Sequence, residues 1–137
     1  MSTQWKLASI PPHDFYLCLD VDSYFDHEHD PETIFEEGFT RPLPLRRRDI
    51  LVTIHYNGDP ENPEFHISSP SDLDADEQEQ ANHVLARILG TELDLRPFYD
   101  RIEDDEVMSP IVTELYGLKL LNRVNIFEDI LILIFQM

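Results

Sequence analysis

The sequence predicts an α+β domain in which helices pack on one face of an antiparallel sheet. The front half contains strand-like apolar runs separated by Pro and Gly, whereas from residue 71 onward the apolar residues recur at helical spacing. At 137 residues the chain is long enough to bury one core without disulfides. The single cysteine, Cys18, lies between two leucines and is expected to be a small core residue.

The first predicted strands come from composition. Residues 15–21 are rich in aromatic and aliphatic side chains and follow two prolines, which predicts the first strand. Residues 22–37 are acidic and mixed, and their pattern fits either a helix or a loop. Residues 39–45 contain two prolines, which cannot donate to a strand ladder, so this segment is predicted as an edge strand.

A β-hairpin is predicted next. Residues 49–56 and 64–68 are joined by Asn57-Gly58 and a Pro-rich loop, which is a strong hairpin signal. His55 and His66 lie on the two arms. They are expected to be cross-strand neighbours and not a catalytic pair, because no nucleophile or carboxylate is spaced to complete a triad with them.

The helical half begins with the strongest local signals. Asp74 with Glu77 forms a capping-box pattern, and Gly90 suits the C-terminal cap, which predicts a helix between them. Residues 94–102 predict a short second helix, and Pro110 opens a third that ends at Gly117. The side chains expected to face inward are Leu95, Phe98, Tyr99 and Ile102 on the second helix, and Ile111, Val112 and Leu115 on the third.

The last helix is expected to start at Asn125 as N-cap, with Glu128 returning the capping hydrogen bond. The residues that follow are apolar all the way round, which predicts burial on every side. Without a helix-stop signal before Met137, the sequence suggests the front part of a longer protein. The alternative is a terminal helix docked into the core of a complete small domain. An orphaned helix would leave a large apolar patch around residues 130–135.

The charge excludes some functions. The chain has 28 acidic and 10 basic residues, a net charge of −18 and a sequence pI near 4.4. Such a field repels phosphate backbones, so this segment alone should bind nucleic acid weakly or not at all. It also raises the hypothesis of a high-salt source. The lone cysteine and the absence of a signal-peptide pattern favour the cytoplasm, and the apolar run near the end is too short to span a membrane.

Side chains with catalytic or ligand chemistry are sparse. Residues 26–30 offer metal-ligand types, but neighbours one or two apart seldom converge on one ion, so no metal site is expected. Arg46, Arg47 and Arg48 form a basic run that could touch phosphate or balance nearby acids. With four glycines and no Gly-rich loop, the sequence suggests no cofactor and no catalytic residue.

Several short motifs resemble the helix-hairpin-helix DNA glycosylases of the 3-methyladenine II and 8-oxoguanine types. Pro11-Pro12-His13-Asp14-Phe15 resembles their opening segment, and Phe39-Thr40-Arg41 resembles the aromatic-x-Arg element that follows it. Gly117-Leu118-Lys119-Leu120-Leu121, Arg123 and Ile126-Phe127-Glu128 resemble the start of their helical core. The likeness spans nearly the whole chain, with residues 1–116 as the N-terminal domain and 117–137 as the start of the core.

The resemblance implies a TATA-binding-protein-like curved antiparallel sheet packed with helices. It also implies a parent enzyme of base excision repair that removes alkylated or oxidised bases from damaged double-stranded DNA by hydrolysing the N-glycosidic bond. Neither the family's hairpin nor its catalytic aspartate occurs here, so this fragment is expected to be inactive. Gln136 is the one candidate DNA contact, and self-association through the last helix is expected. The alternative is a stand-alone acidic protein-interaction module, with imitation of DNA as one form of that hypothesis.

Overall fold

The structure is a computed structural model that describes residues 2–24, 33–35 and 37–136. In chain order the elements are β1 (Thr3–Ala8), α1 (Phe15–Tyr24), β2 (Thr33–Phe35), β3 (Gly38–Pro44), β4 (Asp49–Tyr56), β5 (Glu64–Ser69), α2 (Ala75–Leu89), α3 (Arg96–Ile102), α4 (Met108–Glu114) and α5 (Ile126–Gln136). The strands form one antiparallel sheet in the order β1-β5-β4-β3-β2. The predicted α+β class is confirmed.

The segment predicted as the first strand is a helix. In α1, Phe15, Cys18 and Leu19 are buried, and their spacing places them on one helical face. Asp14 starts the helix, since its carboxylate accepts a hydrogen bond from the Leu17 amide at 3.2 Å. The strand prediction was wrong because it weighed aromatic and aliphatic content above this spacing. The core position predicted for Cys18 is confirmed.

The first strand lies earlier than predicted, in β1. It pairs with β5 along its whole length, from Thr3 opposite Ser69 to Ala8 opposite Glu64. Trp5 is almost fully buried, and its indole nitrogen donates to the Asn82 side chain of α2 at 2.6 Å. This bond links the edge of the sheet to the helix layer.

Strand β3 accommodates its prolines where one side is open. In the described part of the chain, β2 pairs with β3 only at residues 38–40, so Pro42 and Pro44 lie beyond its reach. The edge prediction holds for the proline-containing end, whereas the beginning of β3 lies between β2 and β4. Of the undecided segment 22–37, residues 22–24 end α1 and residues 33–35 form β2. Residues 25–32 and 36 lie outside the described residues.

The predicted hairpin is confirmed. β4 and β5 pair with His55 directly opposite His66, as expected for cross-strand neighbours. Each imidazole lies near a carboxylate, at 3.6 Å from Glu37 and 3.2 Å from Glu64, respectively. The opposite face of the sheet forms most of the core, with these side chains at most 2% exposed: Phe39, Leu43, Ile50, Val52, Ile54, Phe65 and Ile67.

Helix α2 also follows its prediction. Asp74 accepts a hydrogen bond from the Glu77 amide at 2.8 Å, the Glu77 carboxylate accepts one from the Asp74 amide at 3.3 Å, and Gly90 ends the helix with φ +70°. The side chains that α2 contributes to the core are Ala81, Leu85, Ile88 and Leu89.

Helices α3 and α4 form where the sequence predicts helices, but neither has a buried residue. Phe98, Ile111 and Leu115 were expected to face inward and are instead 45%, 47% and 38% exposed. Periodicity places side chains on one side of a helix without saying whether anything covers that side. In the described residues, no helix is both long and apolar enough to cross a bilayer.

Candidate functional site

The last helix is attached to the sheet by a buried ion pair. Arg41 of β3 lies on the core face and is 2% exposed. Its Nη2 donates to both carboxylate oxygens of Glu128, at 3.1 and 2.9 Å. A buried guanidinium is costly unless it is paired. The Glu128 carboxylate therefore fixes the first turn of α5 against the sheet.

The start of α5 differs from the predicted capping box in one respect. Asn125 is the N-cap, since its side-chain oxygen accepts a hydrogen bond from the Glu128 amide at 2.9 Å. The Glu128 carboxylate, however, accepts from the Val124 amide at 3.4 Å and pairs mainly with Arg41. The predicted return bond to Asn125 is wrong because the buried arginine positions this carboxylate.

A second buried polar network holds the segment that leads to α5. The Lys119 ammonium donates to the Ile10 carbonyl at 2.8 Å and to Ser9 Oγ at 3.3 Å, and Ser9 Oγ lies 2.8 Å from His13 Nδ1. The Lys119 amide donates to Cys18 Sγ at 3.3 Å. These contacts join the loop before α1 to residues more than one hundred positions later in the chain.

Burial controls the protonation of this network. Burial and the nearby Lys119 charge lower the pKa of His13 to about 3, so its ring is neutral at ordinary pH. Burial lowers the pKa of Lys119 to about 8 and raises the pKa of Cys18 to about 11. Serine, histidine and lysine together resemble catalytic chemistry, but all three side chains are enclosed, at 9%, 0% and 1% exposure. Their arrangement fits a structural role.

Gly117 allows this segment to approach the loop before α1. Its carbonyl accepts a hydrogen bond from the Asp14 amide at 2.8 Å, and its φ is +84°. A Cβ at this position would lie 2.7 Å from the Asp14 nitrogen. Both the backbone conformation and the close contact therefore require glycine here.

The motifs that carry the family resemblance contact each other in space. Residues 11–15 meet residues 117–121 through the Asp14–Gly117 hydrogen bond, and residues 39–41 meet residues 126–128 through the Arg41–Glu128 pair. Each pair of motifs is distant in sequence. No sequence pattern pointed to Ser9. The motifs contained His13, Lys119 and Arg41 without assigning them a role, and Glu128 was predicted only as the capping partner of Asn125.

Helix α5 presents an apolar face that the described residues do not cover. Ile132 is 9% exposed, whereas Phe127, Leu133 and Phe135 are 66%, 60% and 62% exposed. The expectation of burial on every side is wrong, and the apolar patch expected for an orphaned helix is present. Covering these three side chains, each about 60% exposed, would contribute roughly 3 to 6 kcal/mol, since burying one that is fully exposed is worth about 1.5 to 3 kcal/mol. This face is the strongest candidate docking surface.

The three consecutive arginines lie beside the first turn of α2. Arg48 makes two hydrogen bonds of 2.9 Å to the Glu77 carboxylate. Arg47 and Arg46 lie 3.7 and 3.8 Å from Asp74 and Asp76. These pairs match the charge-balancing interpretation of the run, and contact with phosphate stays a prediction.

Two further predictions concern residues that the structure describes in part or not at all. Gln136 ends α5, but its side chain lies outside the described residues, so its DNA contact stays a prediction. The acidic and histidine cluster at residues 26–30 also lies outside them. Within the described parts of the chain, no group of three or more His, Cys, Asp or Glu residues is arranged to hold a metal ion.

Among solved structures, the chain is similar to a 3-methyladenine DNA-glycosylase from Archaeoglobus fulgidus, with a TM-score of 0.67 and 17% sequence identity. The matched regions share a fold. The match covers 90% of this chain and 41% of the glycosylase chain, so this chain spans less than half the length of that protein. No protein-family model and no curated protein matches the sequence.

Proposed function

We propose that this chain is the N-terminal, noncatalytic part of a helix-hairpin-helix DNA glycosylase of base excision repair. Residues 1–116 would form the α+β domain, and residues 117–137 would begin the helical core. The whole protein would bind damaged double-stranded DNA and hydrolyse the N-glycosidic bond of an alkylated or oxidised base flipped out of the duplex. In this proposal the present domain supports the core and does not perform the chemistry.

The observation that carries the proposal is the contrast between the two sides of α5. One side is fixed by the buried Arg41–Glu128 pair and by Ile132, whereas other apolar side chains of the helix, among them Phe127 and Leu133, are more than half exposed. Monomeric soluble domains rarely leave such a surface uncovered. Further helices packing on α5 would cover it. The shared fold with a glycosylase chain of more than twice the matched length is consistent with this.

The electrostatics favour a supporting role. A net charge of −18 opposes approach to phosphate, and the three consecutive arginines are already paired with carboxylates. The enclosed Ser9, His13 and Lys119 network has no access to a substrate. We therefore assign the grip on DNA and the catalytic aspartate to a part of the parent protein other than residues 1–137.

Base release tests the catalytic half of the proposal. The purified chain is incubated with duplexes that carry 3-methyladenine or 8-oxoguanine, and the released base is measured by chromatography. We expect no release above the rate of the duplex alone. Turnover that depends on this chain would show that it contains its own catalytic machinery.

Self-association tests the proposed docking face. Sedimentation and binding of a hydrophobic dye are compared for wild type, for L133Q/F135Q on α5 and for V107Q/I111Q on α4. We expect wild type and the α4 variant to associate and bind dye, and the α5 variant to lose association and most of its dye binding. Equal behaviour of all three proteins would mean that the α5 face is not the surface that needs covering.

A further inference from the structure

A separate cavity of about 490 Å³ lies between α3 and α4. Its apolar walls come from Tyr99, Ile102, Val112 and Tyr116. The Tyr99 and Tyr116 rings stack with centroids 5.3 Å apart and planes at 27°. The Tyr99 hydroxyl accepts a hydrogen bond from the Gly117 amide at 2.9 Å. The aromatic wall is therefore held in place by the same glycine that anchors the segment before α5.

Neither α3 nor α4 has a buried residue, so this helix pair contributes little to the core of the domain. Besides the four apolar side chains, the cavity is lined by Asp100, Glu103, Ser109 and Thr113. We call this cavity, with its eight lining residues, the α3–α4 groove.

The rim of the groove is acidic, because Asp100 and Glu103 line it. Residues 100–116 contain six acidic side chains and one basic side chain, Arg101. Asp105 caps the start of α4, since its carboxylate accepts hydrogen bonds from the Val107 and Met108 amides at 2.9 and 2.8 Å. The remaining five form no ion pair with any basic side chain in the described residues: Asp100, Glu103, Asp104, Glu106 and Glu114.

We propose that the α3–α4 groove binds a short basic segment of a partner protein whose Lys or Arg residues alternate with aliphatic or aromatic residues. The apolar side chains would enter the groove, and the cations would meet the unpaired carboxylates at its rim. A nucleic acid would be repelled by this rim, and a purely apolar partner would leave the carboxylates unused. This surface is distinct from the apolar face of α5, so the proposal does not depend on the proposed glycosylase function.

The experiment uses three fluorescein-labelled peptides of equal length and fluorescence anisotropy with the full chain. The first peptide alternates Lys with Leu and Trp. The second replaces every Lys by Gln, and the third keeps Lys but replaces Leu and Trp by Ser. We expect the first peptide to bind about tenfold or more tightly than either control, because both kinds of contact contribute. Rising salt should weaken its binding. Equal binding of the first and third peptides would overturn the role of the groove.

Matched variants locate the site. D100N/E103Q, the rim variant, removes the two carboxylates that line the groove, and D49N/E79Q, the control variant, removes two charges outside it. We expect the rim variant to bind the first peptide about tenfold more weakly, or about 1.4 kcal/mol, and the control variant to match wild type. L133Q/F135Q on α5 should also match wild type. Equal weakening by both charge variants, or loss only in the α5 variant, would contradict the proposal.

Discussion

Removing the Glu128 charge should destabilise the whole domain, because the buried Arg41 guanidinium would lose a carboxylate to which it donates two hydrogen bonds. Breaking a buried ion pair by removing one partner costs about 3 to 5 kcal/mol. The Glu128 side chain is 22% exposed and Arg41 is 2% exposed, so we expect E128Q to lie near the low end, at about 3 kcal/mol. For a domain of this size this corresponds to a fall in melting temperature of roughly 10 °C.

The assay is urea unfolding followed by circular dichroism and by the fluorescence of the single tryptophan, Trp5. E79Q removes a charge from the exposed surface of α2 and is the control, with an expected change within about 0.5 kcal/mol. R41M/E128L replaces the pair by apolar side chains and should recover most of the lost stability. A loss below about 0.5 kcal/mol in E128Q, or a double variant no better than E128Q, would refute this interpretation of the pair.

Three further predictions concern Gly117, His13 and Lys119, which lie where the segment before α5 contacts the loop before α1. G117A should lower the free energy of unfolding by about 2 kcal/mol or more, because φ is +84° and the new Cβ would lie 2.7 Å from the Asp14 nitrogen. G90A should cost about 1 kcal/mol, because φ is +70° but the nearest atom is 3.7 Å away. Equal losses in thermal melts would contradict this difference. The pKa of His13 falls from 6.5 to about 3 on folding, so between these pH values the unfolded chain binds a proton that the folded chain does not. The free energy of unfolding, measured in urea, should therefore fall as the pH is lowered from 6.5 to about 3, and it should fall less in H13Q. The pKa of Lys119 falls from 10.5 to about 8, so the stability of wild type relative to K119M should rise between these pH values; a flat difference would contradict burial of the ammonium.

Local signals made some elements predictable from the sequence. Helix α2 has its N-cap, its capping-box partner and its terminal glycine within the helix or next to it, so its limits follow from neighbouring residues. The β4–β5 hairpin likewise has its turn residues in sequence. Helix α1 was mistaken for a strand because its short apolar run suits both structures, and the burial of Phe15, Cys18 and Leu19 became clear only in three dimensions.

The candidate site depends on contacts that no local pattern specifies. Arg41 and Glu128 are 87 positions apart, and Lys119 and Ser9 are 110 positions apart. The short motifs marked most of these residues, but they did not say which would meet. The exposure of α5 could not be predicted from the sequence either, because an apolar helix has the same sequence whether its neighbours are present or not.

The most direct test of the proposed function is the sequence of the source DNA beyond codon 137. The proposal predicts an open reading frame that continues into a glycine-rich helical hairpin and then an aspartate, with apolar helices able to cover the exposed face of α5. A stop codon directly after Met137 would contradict it. In that case the acidic α3–α4 groove would become the principal clue to what the protein does.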